Sequence, residues 1–123
     1  MIPEKMLEVL KHEGVVAIVT QGEKEPHVVN TWNSYIKITK EGKLLVPAGG
    51  MNVTENNIKK KDKVLMTMGS REVEGFHSKG TGFLIVGSGE FVGEGADYIA
   101  MKESYPWMRA ALRISPIEIT QTL

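Results

Sequence analysis

The chain has 123 residues, with 15 Lys plus Arg against 15 Asp plus Glu and no cysteine. One domain fits this length, and a core so small buries only about two thirds of its unfolded surface, so shared surface with a second copy would add stability. Balanced charge gives no general pull toward nucleic acid or an anionic membrane, and the missing cysteine excludes disulfides, thiolate metal sites, iron–sulfur clusters and cysteine nucleophiles. The opening Met1-Ile2-Pro3-Glu4-Lys5-Met6 lacks the basic start and apolar run of a signal peptide. No stretch approaches the roughly eighteen apolar residues of a membrane span. The cytoplasm is the expected compartment.

Pro3 to Lys11 reads as a short helix, with Pro3 in its first turn and Met6, Leu7 and Leu10 at helical spacing. Gly14 stops it. Val15 to Val19, rich in β-branched residues, is a buried strand. Gln21 to Pro26 is a polar turn, and His27 to Thr39 is a long second strand. Lys40-Glu41-Gly42 turns the chain into a third strand, Lys43 to Pro47. After the loop Ala48-Gly49-Gly50-Met51 comes a helix from Asn52 to Lys61, with Asn52 as its cap and Glu55 completing something close to a capping box. Lys59-Lys60-Lys61 in its last turn suits the negative end of the helix dipole, which accounts for the lysine run without nucleic acid.

Val64 to Met68 is a fourth strand, and the polar stretch Gly69 to Lys79 reads as a mobile hairpin loop. Gly82 to Phe91 is a fifth strand in which Gly87 and Gly89 signal bulges or a bend. Gly93 to Ser104 is acidic with room for a short helix. Ala110 to Ile119 is a sixth strand, broken at Pro116. Six antiparallel strands with two or three short helices, mainly β, predict a barrel with helical decoration in one domain over residues 1–123.

Nucleophilic catalysis finds no support, since no serine sits in a Gly-x-Ser-x-Gly elbow. His12, His27 and His77 are far apart and lack ligand spacing, so they read as surface residues and no metal is expected. Gly80-Thr81-Gly82 and Gly87-Ser88-Gly89 do not lie between a strand and a helix, as a dinucleotide fingerprint requires. Two segments are more informative. Asn30-Thr31-Trp32-Asn33-Ser34-Tyr35 puts hydrogen-bonding residues on both faces of a strand, with an indole beside a phenol. Such a strand is an exposed edge or the wall of a ligand site. Trp32 and Tyr35 should point to opposite faces, so both meet one ligand only if the strand bulges or a second subunit folds over it. Gly49-Gly50-Met51-Asn52-Val53-Thr54 is a glycine-rich turn entering a helix, a natural anion cradle. An aromatic platform joined to a phosphate cradle suits a nucleotide-like cofactor.

Glu13 to Ile18, Val29 to Tyr35, Val46-Pro47 with Gly49-Gly50-Met51, Val64 to Thr67, Gly69-Ser70-Arg71, Gly80 to Ile85, Arg109 to Leu112 and Gln121-Thr122-Leu123 together resemble the small bacterial FMN-binding proteins. These belong to the split-barrel group that includes the pyridoxamine 5'-phosphate oxidases. The resemblance spans nearly the whole chain and implies a six-stranded antiparallel split β-barrel that forms a homodimer with FMN at the subunit interface. By matching position it implies that Asn30, Thr31, Trp32, Asn33, Ser34 and Tyr35 line the flavin and its ribityl chain. Gly49, Gly50, Met51 and Thr54 would take the phosphate end, and Pro47 and Val53 would also belong to the cofactor-binding set. Trp107 and Leu123 would come from the other subunit to cover the ring. One departure stands out: the family pattern carries lysine in the phosphate turn, where this chain has Val53. Backbone N–H groups, Thr31 and Thr54 would then serve alone, or Arg71 or Lys79 would substitute. The implied role is an electron carrier or small flavin-dependent oxidoreductase. The alternatives are a non-catalytic module for flavin storage, delivery or sensing, and a pyridoxamine phosphate oxidase-like enzyme. The last would need a second cationic pocket, and no arginine-rich cluster is evident in the sequence.

Overall fold

The computed structural model describes residues 1–123. It consists of α1 (Glu4–Leu10), β1 (Val15–Gln21), β2 (Pro26–Trp32), a 3-10 turn (Asn33–Tyr35), β3 (Lys37–Ile38), β4 (Leu44–Ala48), α2 (Asn52–Lys60), β5 (Lys63–Glu74), β6 (Lys79–Val92), α3 (Ala96–Ser104) and β7 (Ala110–Gln121). All seven strands form one sheet in the order β2-β1-β5-β6-β7-β4-β3, every pairing antiparallel.

The two edge strands of this order, β2 and β3, are consecutive in the chain. Trp32 ends one and Lys37 begins the other, so at most about 17 Å of chain joins them. In a flat sheet of this order they would lie about 29 Å apart. The sheet therefore curls on itself and the 3-10 turn spans the split, which is the antiparallel split barrel the resemblance implies. The core within it is apolar: Met6 and Val9 of α1 pack with Val16, Ile18, Met66, Phe83, Ile85, Leu112 and Ile114 of the strands. A second small cluster of Leu45, Met101, Met108 and Ala111 seats α3 on the outside.

Four expectations need correction. The strand expected over His27 to Thr39 is broken, which raises the strand number from six to seven. Asn33 breaks it: its side chain is fully buried, and its Nδ2 donates to the carbonyls of His12 at 2.9 Å and Gly69 at 3.1 Å. The expected loop Gly69 to Lys79 is mostly strand, because β5 continues to Glu74 and β6 starts at Lys79. Between them Gly75 N donates to Ser78 O at 2.8 Å, and a Cβ on Gly75 would fall 2.2 Å from Gly80 O, so only glycine closes this turn. The last strand is not broken at Pro116. The register steps from Val86↔Glu118 to Gly87↔Pro116, leaving Ile117 as an extra residue. Such a bulge accommodates proline, which has no N–H to give a ladder. Finally, Asn52 does not cap α2. The cap position is Met51, held at φ 60°, with no side-chain hydrogen bond.

Candidate functional site

A cleft of about 320 Å³ opens where β2 meets the 3-10 turn and β4 runs toward α2; it is lined by Asn30, Thr31, Trp32, Tyr35, Pro47, Gly49, Gly50, Met51 and Trp107. The break in the second strand explains how Trp32 and Tyr35 share it. Residues three apart on a continuous strand face opposite ways, but the 3-10 turn after Trp32 swings Tyr35 round to the same side. Trp32 is 45% exposed. A core indole would be covered, so this one is held at the surface as a wall.

Tyr35, Tyr105 and Trp107 form a triangle of rings with centroids 5.0, 5.7 and 5.8 Å apart, all tilted or edge-on. These are favourable aromatic geometries. Tyr105 Oη donates to the Ser34 carbonyl at 3.2 Å, which ties the α3 end of the triangle to the 3-10 turn. Its phenol is pushed above the ordinary tyrosine value, first by burial and then by Tyr35 and Glu13, so it stays a donor at neutral pH. On the other side of the turn Glu13 accepts from Ser34 Oγ at 2.6 Å and Ser34 N at 3.1 Å. Those bonds, the Ser34 hydroxyl first, hold its carboxyl below the usual carboxylate range.

The opposite end of the cleft is the glycine turn. A Cβ on Gly49 would lie 3.3 Å from Trp107 Cε3, so glycine there allows the indole to close on the turn. Nothing in the chain lies within 4 Å of a Cβ built on Gly50. The N–H groups of Gly49, Gly50 and Met51 donate to no group in the chain. Those at the start of α2 have no intrahelical acceptor and no side-chain cap. Thr54, in the first turn, is fully buried with a hydroxyl that has no partner. An uncapped helix start, a run of free donors and an orphaned hydroxyl together fit a phosphate group.

Of the other site residues, Asn33, Ser34, Val53 and Leu123 do not line the cleft. Asn33 is the buried pin described above and does not reach the cleft wall. Ser34 is engaged by Glu13. Val53 is 52% exposed on the first turn of α2. Trp107 lies in the same chain's cleft as Trp32 and Tyr35. Leu123 is 64% exposed at a separate cleft of about 510 Å³, together with Glu13, Arg71 and Lys79. Within one chain, then, neither Arg71 nor Lys79 stands at the glycine turn. The cation beside that turn is Arg109, whose Nη2 donates to Gly50 O at 2.8 Å. Sequence reasoning gave no role to Glu13, Tyr105 or Arg109. Glu13 and Arg109 lay inside matching segments, whereas Tyr105 fell in a stretch with no recognisable pattern.

Comparison with known proteins places this architecture. A family model described as "Pyridoxamine 5'-phosphate oxidase" matches residues 2–123. The chain belongs to the pyridoxamine 5'-phosphate oxidase family. Within reach of this family is the FMN-binding protein of Nitratidesulfovibrio vulgaris strain Miyazaki F, 51% identical over 123 residues and covering 100% of both chains. Among solved structures, HupZ of Group A Streptococcus aligns with a TM-score of 0.80 at 20% identity, covering 98% of this chain and 94% of its own. An FMN-binding protein from Syntrophomonas wolfei aligns with a TM-score of 0.72 at 13% identity, covering 98% and 85%. At such identities the structural likeness carries the family's fold and nothing finer. No helix of the chain is long and apolar enough to cross a membrane.

Proposed function

We propose that this chain is an FMN-binding flavoprotein that serves as an electron carrier or small flavin-dependent oxidoreductase, all 123 residues forming one flavin-binding domain. The observation that carries the reading is the continuity of one cleft from an aromatic wall, Trp32, Tyr35 and Trp107, to a turn of unpartnered donors at Gly49, Gly50 and Met51. The 51% identical relative described as an FMN-binding protein supports the same ligand. Bound FMN supplies one- and two-electron redox chemistry. The protein's part is to bind and shield. Trp32 and Tyr35 offer apolar faces to the ring, Asn30 and Thr31 offer hydrogen bonds to the ribityl hydroxyls, and the glycine turn, with Thr54 behind it, offers donors to the phosphate.

No carboxylate, histidine, lysine or arginine lines the cleft. The Tyr35 phenol is the one ionisable side chain on this wall, a lining that favours electron transfer over an oxidase that must move substrate protons. The proposed assembly is a cytoplasmic homodimer in which the partner covers the open side of the cleft. In support, Trp32, Trp107, Val15 and Val28 are large apolar residues left exposed on one chain; grouped apolar exposure of this kind marks an interface. Purified protein is expected to be yellow, or to become so with FMN, and to bleach with dithionite. A colourless protein that stays colourless after FMN is added and the excess removed would refute the proposal.

A further inference from the structure

Arg109 lies just before β7 and does not line the cleft, yet it is tied to the glycine turn at every donor it uses. Its backbone N–H donates to Ala48 O at 2.9 Å, which fixes it beside the turn. Its Nε and Nη2 both donate to the Gly50 carbonyl, at 3.1 and 2.8 Å. The same Nη2 reaches Glu55 Oε1 in the first turn of α2 at 2.8 Å. The guanidinium carbon sits 5.7 Å from the centroid of the Phe91 ring, a cation–π distance that restrains the fork further.

The effect on the turn is specific. The Gly50 carbonyl is held by Arg109, and the next one, of Met51, accepts from Glu55 N at 2.9 Å. Both carbonyls that flank the helix start are therefore occupied, while the N–H groups of Gly50 and Met51 remain free. A free carbonyl in that place would repel an anion. Arg109 also helps neutralise Glu55, in the same helical turn as the proposed phosphate end: it pairs with Oε1 at 2.8 Å, while exposed Lys59 sits 3.8 Å from Oε2. Holding Met51 at φ 60°, which residues other than glycine seldom adopt, needs such a clamp.

We infer that Arg109 is a positioning residue that sets the preference of this site for a phosphorylated flavin over riboflavin. This rests on the flavin reading above. It places the discriminating positive charge behind the turn, at Arg109, in a chain whose turn carries Val53 where the family pattern has lysine.

Calorimetric titration of apoprotein with FMN and, separately, with riboflavin tests it in wild type, Arg109→Gln, Arg109→Lys and the double variant Arg109→Gln/Glu55→Gln. Arg109→Gln is expected to weaken FMN by about tenfold or more, because the turn's donors lose their fixed aim. Riboflavin should change by less than about twofold, because it has no phosphate to lose. The double variant should recover part of the FMN loss, since the carboxylate left with only the exposed Lys59 is gone. Arg109→Lys keeps the charge and the alkyl stem and folds with least disturbance. It should fall between wild type and Arg109→Gln, because lysine cannot fork onto the Gly50 carbonyl. Equal weakening of both ligands, or no weakening of either, would overturn the inference. So would an Arg109→Lys protein with the wild-type preference. Wild type that binds neither ligand would instead overturn the flavin reading, and the two failures are thereby distinguished.

Discussion

Gly50 is open space from the protein's point of view: nothing within 4 Å would meet a Cβ there, and its φ is not positive. Alanine at such a loop position should leave the apoprotein as stable as before or more stable by about 0.4–1 kcal/mol, because it reduces the freedom of the unfolded chain. If the phosphate lies against this turn, the same Gly50→Ala change should weaken FMN markedly. Melting curves of the apoprotein with and without FMN read both effects, and an unchanged FMN-induced shift would count against the phosphate site. Trp32 separates in a similar way. A buried tryptophan cut to alanine costs about 3–5 kcal/mol, but at 45% exposure Trp32 should cost far less. A stacked indole adds about 1 kcal/mol to the bound ring and quenches flavin fluorescence by electron transfer. Trp32→Ala should thus weaken FMN and lengthen its fluorescence lifetime, while an equal lifetime in the folded variant would mean the indole is not on the flavin. Glu13 carries a pH prediction. Its folded pKa lies below the ordinary carboxylate value through the Ser34 bonds, so the latch is fully formed above the unfolded pKa and is lost only as pH falls through the lower folded one. The carboxyl resonance followed by NMR should titrate below the usual carboxylate range, and Ser34→Ala should bring it back up. A midpoint unmoved by that substitution would contradict the assignment.

Among the elements, the break after β2 decides the site. Asn33 has its amide shared among the carbonyls of Val9, His12 and Gly69, which belong to α1, the segment after it and β5. A Cβ on Gly14 would fall 2.9 Å from that amide nitrogen, so the neighbouring glycine is part of the same knot. Asn33→Ala takes the donor from the carbonyls of His12 and Gly69, while Val9 O keeps His12 N, and should destabilise the protein by about 1–3 kcal/mol, read as a lower denaturant midpoint. A change within about 0.5 kcal/mol would mean the knot is incidental. Here the limits of sequence reading are physical. A β-branched run made β1, and an apolar run made β6, both local signals. The turn at Asn33 depends on carbonyls up to 36 residues away, which no local pattern contains. The cap of α2 failed for the opposite reason. Asn52 and Glu55 have the capping-box spacing, but Arg109 takes Glu55 and the helix start is left uncapped. The polar hairpin Gly69 to Lys79 looked like a loop because its strands extend as a ribbon with little apolar cover.

At the scale of the whole molecule, the adjacency of β2 and β3 in sequence and their placement at opposite edges of the sheet order force closure of the barrel. That closure brings the glycine turn of β4 against the aromatic strand β2. Both halves of the cleft were legible as segments one short strand apart that together suit a nucleotide-like cofactor; the topology supplies the physical reason they meet. Leu123 lines the separate cleft with Arg71 and Lys79, its carbonyl oxygen accepting from Thr81 Oγ1 at 2.7 Å. The proposed homodimer would bring that exposed end to the partner's cleft. Light scattering at micromolar concentration should give twice the 13.6 kDa chain mass, and a monomer that retains flavin would refute the shared site. The most direct test of the account is calorimetry of the apoprotein with FMN and riboflavin. Saturable binding at one FMN per chain, with riboflavin weaker, is the expected result. Absence of saturable binding for both would contradict it.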